Sequence, residues 1–128
     1  MTLERILYVE DETDIQAVAR MALEMVGGYT LQICSSGQEA LETAPAFNPH
    51  LFLLDVMMPG MDGPTTLQNL RQLDAFATTP AIFMTAKVQP AEVAHYKSLG
   101  AIGVIPKPFD PMKLSAQVKQ LWQEASRG

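Results

Sequence analysis

The sequence predicts an α/β fold of three layers, α/β/α, with a parallel sheet at its centre. Three observations predict it. Short apolar runs at residues 5–9, 29–34, 51–54, 81–85 and 102–105 alternate with longer stretches of helical period. The runs are continuously apolar, as strands covered on both faces are, and strict alternation implies right-handed crossovers. The chain has 128 residues, no internal repeat and no low-complexity tract, which suits one domain around a single core.

Each element has a local reason. The first helix carries Ile15, Val18, Ala19, Ala22, Met25 and Val26 on one face, with Asp14 placed to cap its start and Gly27-Gly28 to end it. A short second helix bears Ala40, Leu41 and Ala44, confined by Pro45 and Pro49. Pro64 and Pro90 suit the first turns of a third helix, with Leu67 and Leu70, and a fourth that stops at Leu99-Gly100. The last helix, from about Pro111, places Leu114, Val118, Leu121, Trp122 and Ala125 on one side.

Composition excludes several classes. A net charge of −5 with nine scattered Lys and Arg gives no footprint for direct binding to nucleic acid. No apolar run approaches the roughly 20 residues a membrane helix needs. The N-terminus MTLERILYVED reads as a strand and not as a signal peptide, so a cytoplasmic location is expected. The single cysteine, Cys34, lies in an apolar stretch and reads as a core residue. His50 reads as a loop residue and His95 as a surface one.

In a parallel sheet, ligands gather at the carboxyl ends of the strands. Those ends carry Glu10-Asp11-Glu12 after the first strand, Asp55 after the third, Thr85 after the fourth and Lys107 after the fifth. Clustered carboxylates beside an apolar core require a cation. Three oxygen donors with room for waters suit Mg²⁺, whereas zinc would want Cys or His. A carboxylate beside Mg²⁺ and a lysine is poised to attack phosphorus, because both cations neutralise the equatorial oxygens of a transferring phosphoryl group. Asp55, at the end of the most apolar strand, is the nucleophile candidate. Asp11 and Glu10 are candidate metal binders, Thr85 a donor to one phosphoryl oxygen, and Lys107 a partner for another.

The segments VEDE (residues 9–12), LLDVMMPGMDG (53–63), MTA (84–86) and KPF (107–109), in this order and spacing, resemble the receiver domain of two-component response regulators over nearly the whole chain, residues 1–128. The resemblance implies a flavodoxin-like, five-stranded parallel sheet of order 2-1-3-4-5 flanked by five helices. It implies that Asp55 accepts a phosphoryl group from a histidine kinase or histidine phosphotransfer protein. It also implies that Asp11, Asp55 and the backbone carbonyl of Met57 hold Mg²⁺ with help from Glu10, that Thr85 and Lys107 read the phosphorylated state, and that the Lys107-Pro108 peptide is cis. Pro106 agrees with that strand order, since a proline without an N–H is tolerated on an edge strand.

One departure stands out. Val104 occupies a position three residues before the lysine where family members often carry Tyr or Phe, so an aromatic switch there is not available. Met57 and Lys87, two residues after Asp55 and Thr85, are placed to tune the phosphoryl lifetime.

The favoured reading is a stand-alone phosphoacceptor switch, not an enzyme acting on other molecules, since the sequence given ends just after the fifth helix. It would be a monomer or weak dimer that meets a downstream target through the face of helix 4, strand 5 and helix 5, near Phe109. Two other classes compete with it. An aspartyl phosphohydrolase would need a general acid where Met57 stands, and a binding module without the chemistry would not need the full set of Asp, Thr and Lys.

Overall fold

The computed structural model describes residues 2–127. Its strands are β1 (Arg5–Val9), β2 (Thr30–Cys34), β3 (Leu51–Asp55), β4 (Ala81–Thr85) and β5 (Gly103–Pro106). All pair in parallel, in the order β2-β1-β3-β4-β5. The helices are α1 (Thr13–Arg20), α2 (Gly37–Phe47), α3 (Gly63–Arg71), α4 (Pro90–Ser98) and α5 (Leu114–Arg127). This is the expected three-layer, flavodoxin-like architecture. β5 lies at an edge, where Pro106 opposes Thr85.

Strand alternation divides the core in two. Leu7, Val9, Phe52, Leu54, Ala81 and Phe83 face α2, α3 and α4, meeting Ala40, Ala44, Leu67, Leu70 and Tyr96. Ile6, Tyr8, Leu51, Leu53, Ile82, Met84 and Ile105 face α1 and α5, meeting Ala19, Ala22, Leu23, Leu114, Val118 and Trp122. β3 is buried along its whole length, as β4 is, which fixes Asp55 at the end of a strand enclosed on both faces. Among the described residues, no helix is long and apolar enough to cross a membrane.

Four local expectations are corrected. Asp14 does not cap α1: the N-cap is Glu12, and no side chain closes that end. The inward face of the first helix also shifts. From Met21 to Val26 the chain continues as a π-helix, closed by a bond from Gly27 N–H to Ala22 C=O, five residues back. The wider turn brings Leu23 inward and leaves Val18, Met25 and Val26 exposed, Met25 at 81%. Pro45 does not end α2, which runs on to Phe47 and stops at the left-handed Asn48. Pro45 stands in the last full turn, so its missing N–H removes one bond near an end that frays anyway. α5 begins at Leu114, after a turn closed on the Asp110 carbonyl, and Ala125 is exposed. A short 3₁₀ turn, Asp74–Phe76, was not expected from the sequence.

Candidate functional site

The register of the sheet brings the strand ends level. Val9 opposes Leu54, Asp55 opposes Met84, and Thr85 opposes Pro106. Residues separated by up to 97 positions therefore share one rim. Glu10, Asp55 and Thr85 are buried there, and Asp11 is half-buried. One carboxylate oxygen from each of Glu10, Asp11 and Asp55 lies within 4.8 Å of the others.

Lys107 reaches into the cluster. Its Nζ donates to Glu10 Oε1 at 2.9 Å and stands 3.2 Å from Asp55 Oδ1. The Lys107-Pro108 peptide is cis, as expected. Lys107 N–H also donates to Thr85 C=O at 2.9 Å, tying the loop after β5 to the end of β4.

The electrostatics are unequal. Burial pushes Asp55 up to about 6, and the neighbouring Glu10 carboxylate pushes the same way; Lys107 opposes both without cancelling them. Burial also raises Glu10, but hydrogen bonds from Lys107 and from Glu12 N–H outweigh it and hold that carboxyl below its ordinary value. Burial would lower Lys107, yet the Glu10 hydrogen bond and the Asp55 charge carry it upward. The single ammonium thus serves Glu10 first. Asp55 is the carboxylate left short of positive charge.

Local sequence shapes the approach to Asp55. Asp62 caps α3 by accepting from Thr65 N–H at 2.8 Å. Gly63 N–H donates to Val56 C=O, so the start of α3 folds back against the end of β3. A Cβ on Gly63 would come within 2.4 Å of the Asp55 carbonyl oxygen. Only glycine permits this approach. Met57 lies in the intervening loop with its side chain 69% exposed. Thr85 Oγ1 accepts from Lys87 N–H at 3.1 Å, which leaves its own hydroxyl proton uncommitted.

All the predicted site side chains, Glu10, Asp11, Asp55, Thr85 and Lys107, are at this rim. Two residues that support the rim, and one remote from it, were not legible in the sequence. Tyr8, fully buried in β1, donates its hydroxyl to Glu10 Oε1 at 3.2 Å. Burial, then Glu10, push its phenol well above the ordinary range, so it stays a donor. Gln16 of α1 donates to Glu10 C=O and to Ser35 Oγ. His50 lies at the opposite end of the sheet, where its Nδ1 accepts from Arg5 N–H at 3.1 Å and Glu4 N–H at 3.2 Å. Apolar periodicity would file Tyr8 as a core ring, and nothing near His50 in sequence names its partners.

Away from the rim, Val104 is half-buried against the core under α2 to α4, where Phe83 and Tyr96 pack with ring centres 5.4 Å apart. Phe109 is half-buried and packs on the α1–α5 side. Together with Ile15, Val18 and Pro108 it lines a shallow apolar cleft of about 250 Å³ beside Lys107. Trp122 is buried, His95 is exposed, and Cys34 is buried with burial pushing its thiol up to about 11.

A family model described as "Response regulator receiver domain" matches residues 6–119. The transcriptional regulatory protein ResD of Bacillus subtilis (strain 168) is 37% identical over 123 residues, 96% of this chain and 50% of that protein. The alkaline phosphatase synthesis transcriptional regulatory protein PhoP of the same organism is 36% identical over 118 residues, 92% of this chain and 48% of that protein. This chain spans about half the length of the curated relatives it matches. Among solved structures, the chemotaxis response regulator CheY4 of Vibrio cholerae is similar at a TM-score of 0.85 and 28% identity, covering 94% of this chain and 99% of that one. A response regulator structure from Chloroflexus aurantiacus J-10-fl gives 0.82 and 28%, over 94% and 98%.

Proposed function

Since this chain belongs to the response regulator receiver domain family of two-component systems, we propose that it is a phosphoacceptor switch, not an enzyme acting on other molecules, with Asp55 as the acceptor. The observation that carries this reading is the placing of Lys107 Nζ between Glu10 and Asp55, at 2.9 and 3.2 Å, on a rim that also holds Asp11 and Thr85.

The donor set fits Mg²⁺. It offers oxygen ligands only, with no sulfur or imidazole, and three carboxylates face one ammonium, which leaves a charge deficit a divalent cation would fill. Asp11, Asp55 and the Met57 carbonyl would hold the ion, with Glu10 assisting. When bound, Mg²⁺ supplies positive charge against the phosphoryl oxygens as they gather charge.

The chain's own groups do the rest. An Asp55 carboxylate oxygen attacks phosphorus of a phosphohistidine on a histidine kinase or phosphotransfer protein. The new O–P bond forms as the N–P bond breaks, and its electron pair leaves with the imidazole, which takes up a proton. Lys107 then turns from the Asp55 carboxylate to an oxygen of the acyl phosphate. Thr85, whose hydroxyl proton is uncommitted, donates to another. Both moves would favour one of two pre-existing arrangements of the β4–α4 and β5–α5 loops.

Output by protein contact is supported by the likeness to the chemotaxis response regulator CheY4; the same reading takes the α4–β5–α5 face as the contact surface of a cytoplasmic monomer or weak dimer. With Val104 in place of an aromatic, the signal would run through Thr85, the loop to Gln89 and α4. The apolar, exposed Met57 side chain would slow attack of water on the phosphoryl group.

The test is incubation with acetyl phosphate and Mg²⁺ followed by intact-mass measurement. One phosphoryl adduct is expected on the wild type, lost on chelation of Mg²⁺ before mixing and absent in Asp55→Asn. An equal adduct on the variant would overturn the assignment. Turnover of many equivalents of a phosphate monoester would replace it with a hydrolase.

A further inference from the structure

Tyr8 carries a hydroxyl that packing alone does not require. Ile6 and Tyr8 of β1 face α1 and α5, and Glu10 follows them one residue past the end of the strand. The Tyr8 ring is fully enclosed by that apolar cluster, where phenylalanine would fill the same space. A buried phenol oxygen is costly unless it is hydrogen-bonded. Among the described residues its partner is Glu10 Oε1, the same oxygen that receives Lys107.

The remaining atoms of Glu10 are also committed. Oε2 accepts from Glu12 N–H at 3.3 Å, and the backbone carbonyl accepts from Gln16. Glu10 is therefore held by donors from β1, α1, the loop between them and the loop after β5. Tyr8 is the only one of these donors rooted in the core.

We propose that Tyr8 is a positioning residue for this site: its hydroxyl fixes the Glu10 carboxylate, and through it Lys107, in the arrangement that receives Mg²⁺. The inference rests on the receiver reading above. Without the hydroxyl, Glu10 Oε1 keeps one donor in place of two and the carboxylate gains freedom to turn. Lys107, which stands only 0.3 Å further from Asp55 than from Glu10 by the two distances of 3.2 and 2.9 Å, then swings toward Asp55. That places an ammonium on the carboxylate the metal needs. Both changes weaken metal binding.

The test is equilibrium titration with Mg²⁺ alone, in the absence of phosphodonor, on wild type, Tyr8→Phe, Glu10→Gln and the double variant. Tyr8→Phe is expected to bind Mg²⁺ about fivefold more weakly, the scale of one hydrogen bond to a charged group felt through an intermediary. In the Glu10→Gln background the same change is expected to alter affinity less than about twofold, because the carboxylate through which it acts is gone. A role in packing alone would give equal factors in the two backgrounds and overturn the proposal. So would unchanged affinity in Tyr8→Phe.

A second measurement needs no stability comparison between variants. Adding Mg²⁺ to the wild type should shift the near-ultraviolet tyrosine difference spectrum as Glu10 is drawn toward the metal, and Tyr8→Phe should lack that shift. A shift that persists in Tyr8→Phe would count against the proposal. A wild type that binds no Mg²⁺ would overturn the receiver reading itself, whereas normal wild-type binding with no Tyr8 effect overturns this inference alone.

Discussion

The two ends of the sheet handle polar groups in opposite ways. At the amino-terminal end, His50 Nδ1 accepts two backbone N–H groups and Arg5 Nε donates to Asn48 C=O at 2.9 Å, so these backbone groups are paired within the chain. At the carboxyl end, three carboxylates share one lysine, and Asp55 is pushed up to about 6 by burial and Glu10. The first arrangement fastens the chain. The second leaves negative charge without an equal partner, and the proposed function rests on that shortfall.

The largest expected effect tests how tightly the carboxyl end is built. Gly63→Ala places a Cβ 2.4 Å from the Asp55 carbonyl oxygen and 3.0 Å from Val56 Cα, both backbone atoms that cannot rotate away. The start of α3 must separate from β3, at a cost of about 2–4 kcal/mol. Gly60→Ala is the control. Gly60 has φ +74° but nothing within 4 Å of its Cβ, so it suffers backbone strain alone, about 1 kcal/mol. Urea unfolding measures both, and equal losses would mean that α3 yields freely at Gly63.

Next in size is removal of the charge. Asp55→Asn should stabilise the metal-free protein at pH 7 by about 1–2 kcal/mol, since a net shift of about two pKa units, with Lys107's opposition already included, is worth at most about 2.7 kcal/mol and burying the amide offsets part of it. The sign follows from the direction of the shift. A carboxyl raised above its ordinary 3.8 contributes stability fully present below about pH 4 and lost as pH rises through about 6. The variant's advantage should therefore vanish on acidification below pH 4. It should also shrink when Mg²⁺ is added, because the ion stabilises only the chain that binds it. Denaturant midpoints across pH, with and without Mg²⁺, check all three statements, and a destabilised variant at pH 7 would refute the shortfall.

What the sequence made legible follows the same division. Strand ends could be read because each carries its chemistry within a few residues of an apolar run: Glu10-Asp11, Asp55, Thr85 and Lys107 needed only the parallel topology to be brought together. The face of the first helix was misread because a π-helical turn shifts Leu23 inward past Met25, and that turn answers to the packing of α5, where Gly27 lies too close to Ser115 for a Cβ. Tyr8 lies unremarked within the apolar run at residues 5–9, because its hydroxyl acquires meaning only from a carboxylate two residues on. His50 looked idle because its partners, Glu4 and Arg5, lie 45 or more positions away.

The smallest effect belongs to that histidine and runs against the pH dependence of Asp55. Burial, then the Arg5 guanidinium, lower His50 below its ordinary 6.5, with Glu4 opposing weakly. A folded-state pKa lowered in this way means the unfolded chain binds the proton first, so the contribution of His50 is present above about pH 6.5 and lost as pH falls from there through the lower folded-state value. His50→Asn keeps an acceptor oxygen near the position of Nδ1 and removes the titration. The variant should lose less stability than wild type between pH 7 and pH 5, by a margin smaller than the Asp55→Asn effect because the ring is only half-buried. A combined Asp55→Asn, His50→Asn chain should then give the flattest profile across that window, with the two changes additive because they act at opposite ends of the sheet. Strong non-additivity would mean that β1 and β3 carry strain from one rim to the other.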